Sequence, residues 1–253
     1  LTPDGGELTS RQLAGIAQAA ARCGNGLIEI TARGSLQLRG LTEATVRPLA
    51  DAINALGIRP ATGIDIRTGP LVGLDRSEIA DARGVARELR RQSEAEQLDL
   101  ELAPKMAVTV DGAGALGLGG LTADVRLTAV DTNRWLVSVG GTGQSARPVG
   151  SGDSRQAIDA AMRILRLLAA GGRTKRGRDL GEAELAMACA KLEPYAGDPD
   201  AANPASPVGI FELARGCAIG IALPFGQVSS DAIAALARST HADTILRLAP
   251  GRG

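Results

Sequence analysis

Apolar positions along this chain follow two periods, and each period marks a different element. A spacing of three to four residues, the helical one, recurs at Ile79, Ala82, Val85, Ala86 and Leu89, and again at Ile158, Ala161, Ile164, Leu165 and Leu168. The first set predicts a helix capped by Ser77, with a solvated outer face at Arg83, Arg87, Glu88, Arg90 and Arg91. The second predicts a long helix from Ser154 to about Ala170. Alternation of apolar and polar residues, the signature of a strand with one buried face, appears at Leu36, Leu38 and Leu41. Lys105–Asp111, Leu121–Val130 and Arg134–Val139 read as antiparallel strands, with turns at glycines and at Asp131-Thr132-Asn133. Thr45 and Pro48 open a helix that Gly57 ends, a strand follows near Ile64–Arg67, and a further helix is expected near Glu182–Lys191. Residues 197 to 207, rich in Pro, Asp and Ala, read as a linker. Two strands, Val208–Leu213 and Ala218–Leu223, follow it.

The first and last segments of the chain repeat one another. Gly6-Glu7-Leu8-Thr9-Ser10 lines up with Gly226-Gln227-Val228-Ser229-Ser230, and each is followed by an Ala-rich helical stretch. Both helices start at a hydroxyl cap; Thr9 with Gln12 makes a capping box, and Ser229 has Asp231 in the first turn. A strand follows each helix, near Leu27–Thr31 and Thr244–Leu248, and each strand runs toward an arginine beside glycine, Arg33 and Arg252. A repeat this far apart is no solenoid. It predicts two related α/β half-domains paired across a pseudo-twofold axis.

Composition narrows the function classes. The 253 residues carry 28 basic and 28 acidic side chains, and a zero net charge argues against a general polyanion binder. Lys105, Lys175 and Lys191 are the only lysines; arginine supplies the rest of the positive charge. Trp135, Tyr195, Phe211 and Phe225 are the only aromatics, too few for base-stacking platforms. Without a long apolar run or a charged-then-apolar leader, a cytoplasmic protein with no membrane or nucleic-acid partner is expected. Three scattered cysteines, Cys23, Cys189 and Cys217, and one histidine imply neither a disulfide framework nor a zinc site.

Two motifs invite chemistry. Gly112-Ala113-Gly114-Ala115-Leu116-Gly117 fits the dinucleotide pattern G-x-G-x-x-G, but no helix follows it, so a hairpin loop is the expectation. In Ile30-Thr31-Ala32-Arg33-Gly34-Ser35-Leu36-Gln37-Leu38-Arg39-Gly40 two arginines break a strand pattern. Their planar, permanent charge suits carboxylates, although a strand with two solvated arginines would read the same way.

That segment resembles the arginine-bearing strand of the nitrite/sulfite reductase superfamily, and its form Gln37-Leu38-Arg39-Gly40 is most similar to the precorrin-3B synthases within it. Gly69-Pro70-Leu71-Val72-Gly73-Leu74-Asp75 resembles their Pro-Leu-x-Gly-Leu-Asp turn. Ala103-Pro104-Lys105-Met106 resembles the segment that aims a lysine at the substrate anion. The reductases have a second lysine where this chain has Ala107, which argues against sulfite or nitrite reduction. Ile64-Asp65 stands where family members often have Arg-Asn, and Arg67 is nearby but out of register.

The resemblance implies an α+β fold: duplicated ferredoxin-like half-domains at 1–70 and 201–253, with an intervening α/β lobe at 71–200. It implies an oxidoreductase of cobalamin biosynthesis that hydroxylates precorrin-3A with oxygen and forms a lactone, drawing on an electron donor. Arg33, Arg39, Lys105, Arg173, Lys175, Arg176 and Arg252 are the residues expected to hold the carboxylated tetrapyrrole. A solvated loop is the plainer account of the cluster from Arg173 to Arg178. A 4Fe-4S cluster and sirohaem or mononuclear iron are implied for the full family member. None is expected in this stretch alone, because the four clustered cysteines would lie past Gly253; residues before Leu1 are likewise expected to be missing. The alternatives are a sirohaem nitrite/sulfite reductase and a non-catalytic tetrapyrrole-binding module.

Overall fold

The computed structural model describes residues 1–197 and 206–251. In chain order the elements are β1 (Glu7–Thr9), α1 (Ser10–Cys23), β2 (Leu27–Ile30), β3 (Leu36–Leu38) and α2 (Glu43–Ala55). Next come β4 (Asp65–Thr68), α3 (Ala82–Ala95), β5 (Ala107–Asp111), β6 (Val125–Asp131), β7 (Arg134–Val139), β8 (Arg147–Gly152) and α4 (Ser154–Ala170). The last are α5 (Glu182–Ala188), β9 (Gly209–Glu212), β10 (Cys217–Gly220), β11 (Gln227–Ser229), α6 (Ser230–Ser239) and β12 (Ile245–Arg247). The chain divides into two units. One holds Leu1–Thr62, Pro207–Ile210 and the chain from Ile219 onward; the other holds Gly63–Ser206 and Phe211–Ala218.

The first unit is built from the sequence repeat. Thr9 caps α1 with the expected box, its hydroxyl taking the Gln12 N–H at 3.1 Å and its own N–H meeting the Gln12 side chain at 2.9 Å. Ser229 caps α6 through the Ala232 N–H at 3.2 Å. The pairing of the strands is reciprocal. β1 runs antiparallel to β12, and β11 antiparallel to β2, so the leading strand of each copy completes the trailing strand of the other. The exchange extends to matching backbone bonds, Ser10 N–H to Thr244 O at 3.0 Å and Ser230 N–H to Gly26 O at 2.7 Å. Leu8, Leu13, Ile16, Ile28, Leu36 and Ile233 are buried in the shared core. Gly34, with φ near +73°, lets the β2–β3 turn lie against the strand end of the second copy, where a β-carbon would meet the Leu248 carbonyl at 3.1 Å. Duplicated half-domains are what the repeat predicted.

The helix expected to open at Thr45 and Pro48 starts earlier. Thr45 Oγ1 accepts the Thr42 N–H at 2.9 Å, so the helix begins at Glu43, and Pro48 sits inside it.

The second unit carries a five-stranded sheet in the order β4-β5-β6-β7-β8. The strand expected near Ile64–Arg67 is β4, the edge of this sheet, and it pairs with β5 from Asp65↔Ala107 to Thr68↔Val110. β4, β5 and β6 are mutually parallel; only β6, β7 and β8 run antiparallel. The antiparallel reading of β5 and β6 is therefore corrected. Residues 112–124 are a crossover between parallel strands rather than a hairpin, since a connection of that length returns the chain to the starting end of the sheet. Strand β8 was not anticipated, its Pro148, Gly150 and Gly152 hiding it.

Helices α3 and α4 cover one face of the sheet. Val108, Val110, Val125, Leu127, Val137 and Val139 meet Val85, Leu89, Ile164 and Leu165 there, all buried. Helix α4 spans the predicted residues, with Asp153 and Gln156 forming its capping box. Helix α3 does not begin at Ser77. Ser77 is held by Asp75 in the preceding turn, Asp81 caps the helix through Arg83 N–H at 2.9 Å, and Ile79 lies outside it, exposed. Its charged face is also only partly solvated, since Arg90 donates to the Ile66 carbonyl at 3.1 Å.

Candidate functional site

The opposite face of the five-stranded sheet is polar. Alternation puts Arg67, Thr109, Arg126 and Ser138 in one cross-strand row, the registers being Arg67↔Thr109, Thr109↔Arg126 and Arg126↔Ser138. Arg126 and Thr109 are each 2% exposed. Arg126 donates to the carbonyls of Leu121 (2.6 Å) and Leu118 (3.1 Å), so it fastens the 112–124 crossover to the sheet. Arg67 bonds Asp65 at 2.7 Å. Arg126 escaped the sequence reading, yet its signal was there: an arginine between Val125 and Leu127 in a strand whose apolar positions already point to the core.

Both loops at the carboxyl ends of β4 and β5 are organised by carboxylates. Asp75, the last residue of the Pro-Leu-x-Gly-Leu-Asp turn, accepts Ser77 N–H and Oγ–H and reaches across to Ala115 N–H at 2.5 Å. Burial pushes its carboxyl up, but hydrogen bonds from Ser77 and Ala115 outweigh that and hold its pKa below the ordinary value. Asp111 accepts from Ala113 and Leu118 N–H. Two amides of the G-x-G-x-x-G stretch, those of Ala113 and Ala115, are thus taken by aspartates. Glu78 accepts the Gly73 N–H at 2.6 Å; burial, with some help from Asp81 and Asp75, raises its pKa.

At the other end of the strands, Ala103–Met106 forms a turn closed by Met106 N–H to Ala103 O at 3.1 Å. Pro104 takes its second position and Lys105 its third. Lys105 has φ near +62°, the left-handed conformation that a proline-led turn of this kind reserves for glycine. A non-glycine residue held there costs about 1–2 kcal/mol. The lysine is exposed, and it precedes the buried Ala107 by two residues. Strain of this sort collects at functional positions.

The residues of the basic loop have internal partners. Arg176 forks onto Asp124 at 2.9 and 2.8 Å and donates to the carbonyls of Pro104 (3.0 Å) and Lys105 (3.4 Å). Lys175 pairs with Glu184 at 2.5 Å, and Arg173 donates to the Leu100 carbonyl. Neither reading of this loop, solvated or ligand-facing, foresaw that its charges fasten the scaffold. Arg176 and Lys105 come together; Arg173 and Lys175 lie in the same loop but hold other segments.

In the first unit Arg33 occupies the β2–β3 turn, half-buried, beside Gly34. Arg39, just past β3, pairs with Glu29 on β2 at 2.5 Å and is half exposed. It lines a shallow groove of about 340 Å³ whose walls include Leu36, Leu38, Leu41, Leu49 and Ile53. Arg252 lies outside the described residues. The thiols do not fit a four-iron cluster, which needs about four thiolates: there are three cysteines, and Cys23 and Cys189 are buried in the cores of different units. Burial pushes the Cys189 thiol up to about 11, further from the thiolate a metal requires.

The chain has counterparts among known proteins. Residues 1–56 match the nitrite/sulfite reductase ferredoxin-like half domain. A precorrin-3B synthase from a Sinorhizobium species is 42% identical over 255 residues, which is 98% of this chain and 55% of that protein. The chain is similar to a precorrin-3B synthase along nearly its whole length. It spans about half the length of that curated relative. The solved structure of the Mycobacterium tuberculosis NirA protein shares the fold, with a TM-score of 0.76 and 20% identity, covering 98% of this chain and 51% of that one. The similarity to the precorrin-3B synthase covers both the Gln37-Leu38-Arg39-Gly40 and the Lys105 segments. Among the described residues no helix is long and apolar enough to cross a membrane.

Proposed function

We propose that this chain is the substrate-holding part of a precorrin-3B synthase-like oxidoreductase of cobalamin biosynthesis. The observation that carries the reading is 42% identity over 98% of the chain to a precorrin-3B synthase. The proposed reaction of the whole protein is oxygen-dependent hydroxylation of precorrin-3A at a ring carbon, with a lactone closing from a ring acetate. An iron centre supplies the electron and oxygen chemistry in such an enzyme. What this chain supplies is charge and placement. Lys105 offers an exposed ammonium to a carboxylate of the macrocycle. Ala107 supports this over sulfite or nitrite reduction, because a short side chain stands where the reductases carry a second cation.

Titration of the 253-residue protein with uroporphyrin, a carboxylated tetrapyrrole, tests the reading through quenching of the porphyrin fluorescence. Lys105→Gln should weaken binding about tenfold, the equivalent of one charge-assisted contact of about 1.5 kcal/mol. Arg87→Ala, an exposed position on α3, should leave it unchanged. Equal affinities for all three proteins would overturn the assignment.

A further inference from the structure

We propose that Arg176, braced by Asp124, is a positioning residue that locks the strained turn presenting Lys105 to its anion. The inference rests on the reading of Lys105 given above and adds the device that makes it work. Rotation about φ and ψ of Lys105 is rotation between two peptide planes, one ending in the Pro104 carbonyl and the other in the Lys105 carbonyl. One guanidinium donates to both carbonyls, at 3.0 and 3.4 Å. It therefore grips the two planes whose relative angle defines the left-handed conformation.

Arg176 is itself fixed. Its Nε and Nη2 bond the two oxygens of Asp124, a carboxylate whose side chain is 6% exposed. The same oxygens take Gly177 N–H at 3.1 Å and Ala107 N–H at 3.1 Å, which fills the acceptor capacity of the carboxylate. Asp124 thus ties the start of β5, the start of β6 and the basic loop to one point. Position 177 must be glycine for this approach, since a β-carbon there would lie 2.1 Å from the Asp124 carbonyl oxygen. A lysine in place of Arg176 keeps the charge but cannot serve two carboxylate oxygens and two carbonyls at once.

The test uses the 253-residue protein and uroporphyrin. Arg176→Lys should weaken binding about tenfold, and the double variant with Lys105→Gln should bind no worse than Lys105→Gln alone, because Arg176 acts through Lys105. Amide hydrogen exchange at Met106, which closes the turn, should quicken at least fivefold in Arg176→Lys while the β6–β7 amides keep their protection. If the two substitutions add in full, Arg176 touches the ligand itself and the proposal is overturned. Unchanged affinity in Arg176→Lys overturns it too, and leaves the role of Lys105 standing. A wild-type chain indifferent to uroporphyrin sinks the functional reading instead; the exchange measurement then decides the clamp, unchanged Met106 exchange refuting it. Arg176→Gln serves for both measurements if the lysine variant does not fold.

Discussion

Replacing Lys105 by glycine and, separately, by alanine divides what this residue does for the fold from what it does for a ligand. Both substitutions remove the ammonium group. Only glycine removes the β-carbon that makes φ near +62° costly. That conformation costs an L-residue about 1–2 kcal/mol, whereas the greater freedom of glycine in the unfolded chain takes back about 0.5–1 kcal/mol. Lys105→Gly should therefore be more stable than Lys105→Ala by about 0.5–1 kcal/mol, or roughly 1–4 °C in the melting of a unit this size. Urea unfolding followed by Trp135 fluorescence reports on the second unit, where that indole is buried in the core. Both variants should lose uroporphyrin affinity alike. A glycine variant no more stable than the alanine one would mean that the turn is not strained, and the argument from strain to function would go with it.

Ile16→Ala, which empties a fully buried position in the core shared by both repeat copies, should cost about 2–5 kcal/mol in urea unfolding. A loss below 1 kcal/mol would show that the copies do not share a core. Glu78→Gln should change stability with pH. The Glu78 pKa is raised in the folded protein, so the folded state favours the protonated form, and stability falls as pH rises from the unfolded-state value through the folded one. The glutamine variant, which keeps an acceptor for Gly73 N–H, should match the wild type near pH 4 and exceed it in melting temperature by pH 7. A difference that stays flat between those values would contradict the shift.

What the sequence disclosed was local, and what it concealed depended on contacts made at a distance. Helix α4 was legible from end to end because its apolar period and its Asp153–Gln156 box agree. The start of α3 was misplaced because Ser77 and Asp81 are both good caps in sequence; Asp75, by taking Ser77, decides between them. The local sequence marks β5 and β6 as strands but carries no information on their direction, which the path of residues 112–124 determines. The basic loop was visible as charge. Its role was not, since the partner of Arg176 lies 52 residues away at Asp124. Lys105 was found through a resemblance; nothing in the local sequence announces that a lysine occupies a glycine conformation.

The reciprocal strand exchange in the first unit also sets a schedule for biosynthesis. Glu7 pairs with Arg247 across 240 residues, so β1 leaves the ribosome long before β12, its only strand neighbour among the described residues, exists. At about 5–20 residues per second, that wait is roughly ten to fifty seconds. β4 to β8, with α3 and α4, lie within one uninterrupted stretch of sequence and can assemble during it. The nascent N-terminal half-domain must meanwhile keep Leu8, Ile16 and Ile28 from other apolar surfaces, without the helix and strands that will bury them. A stall or truncation before β11 would release a chain with one finished unit and one orphaned half, a natural client for chaperones and proteases.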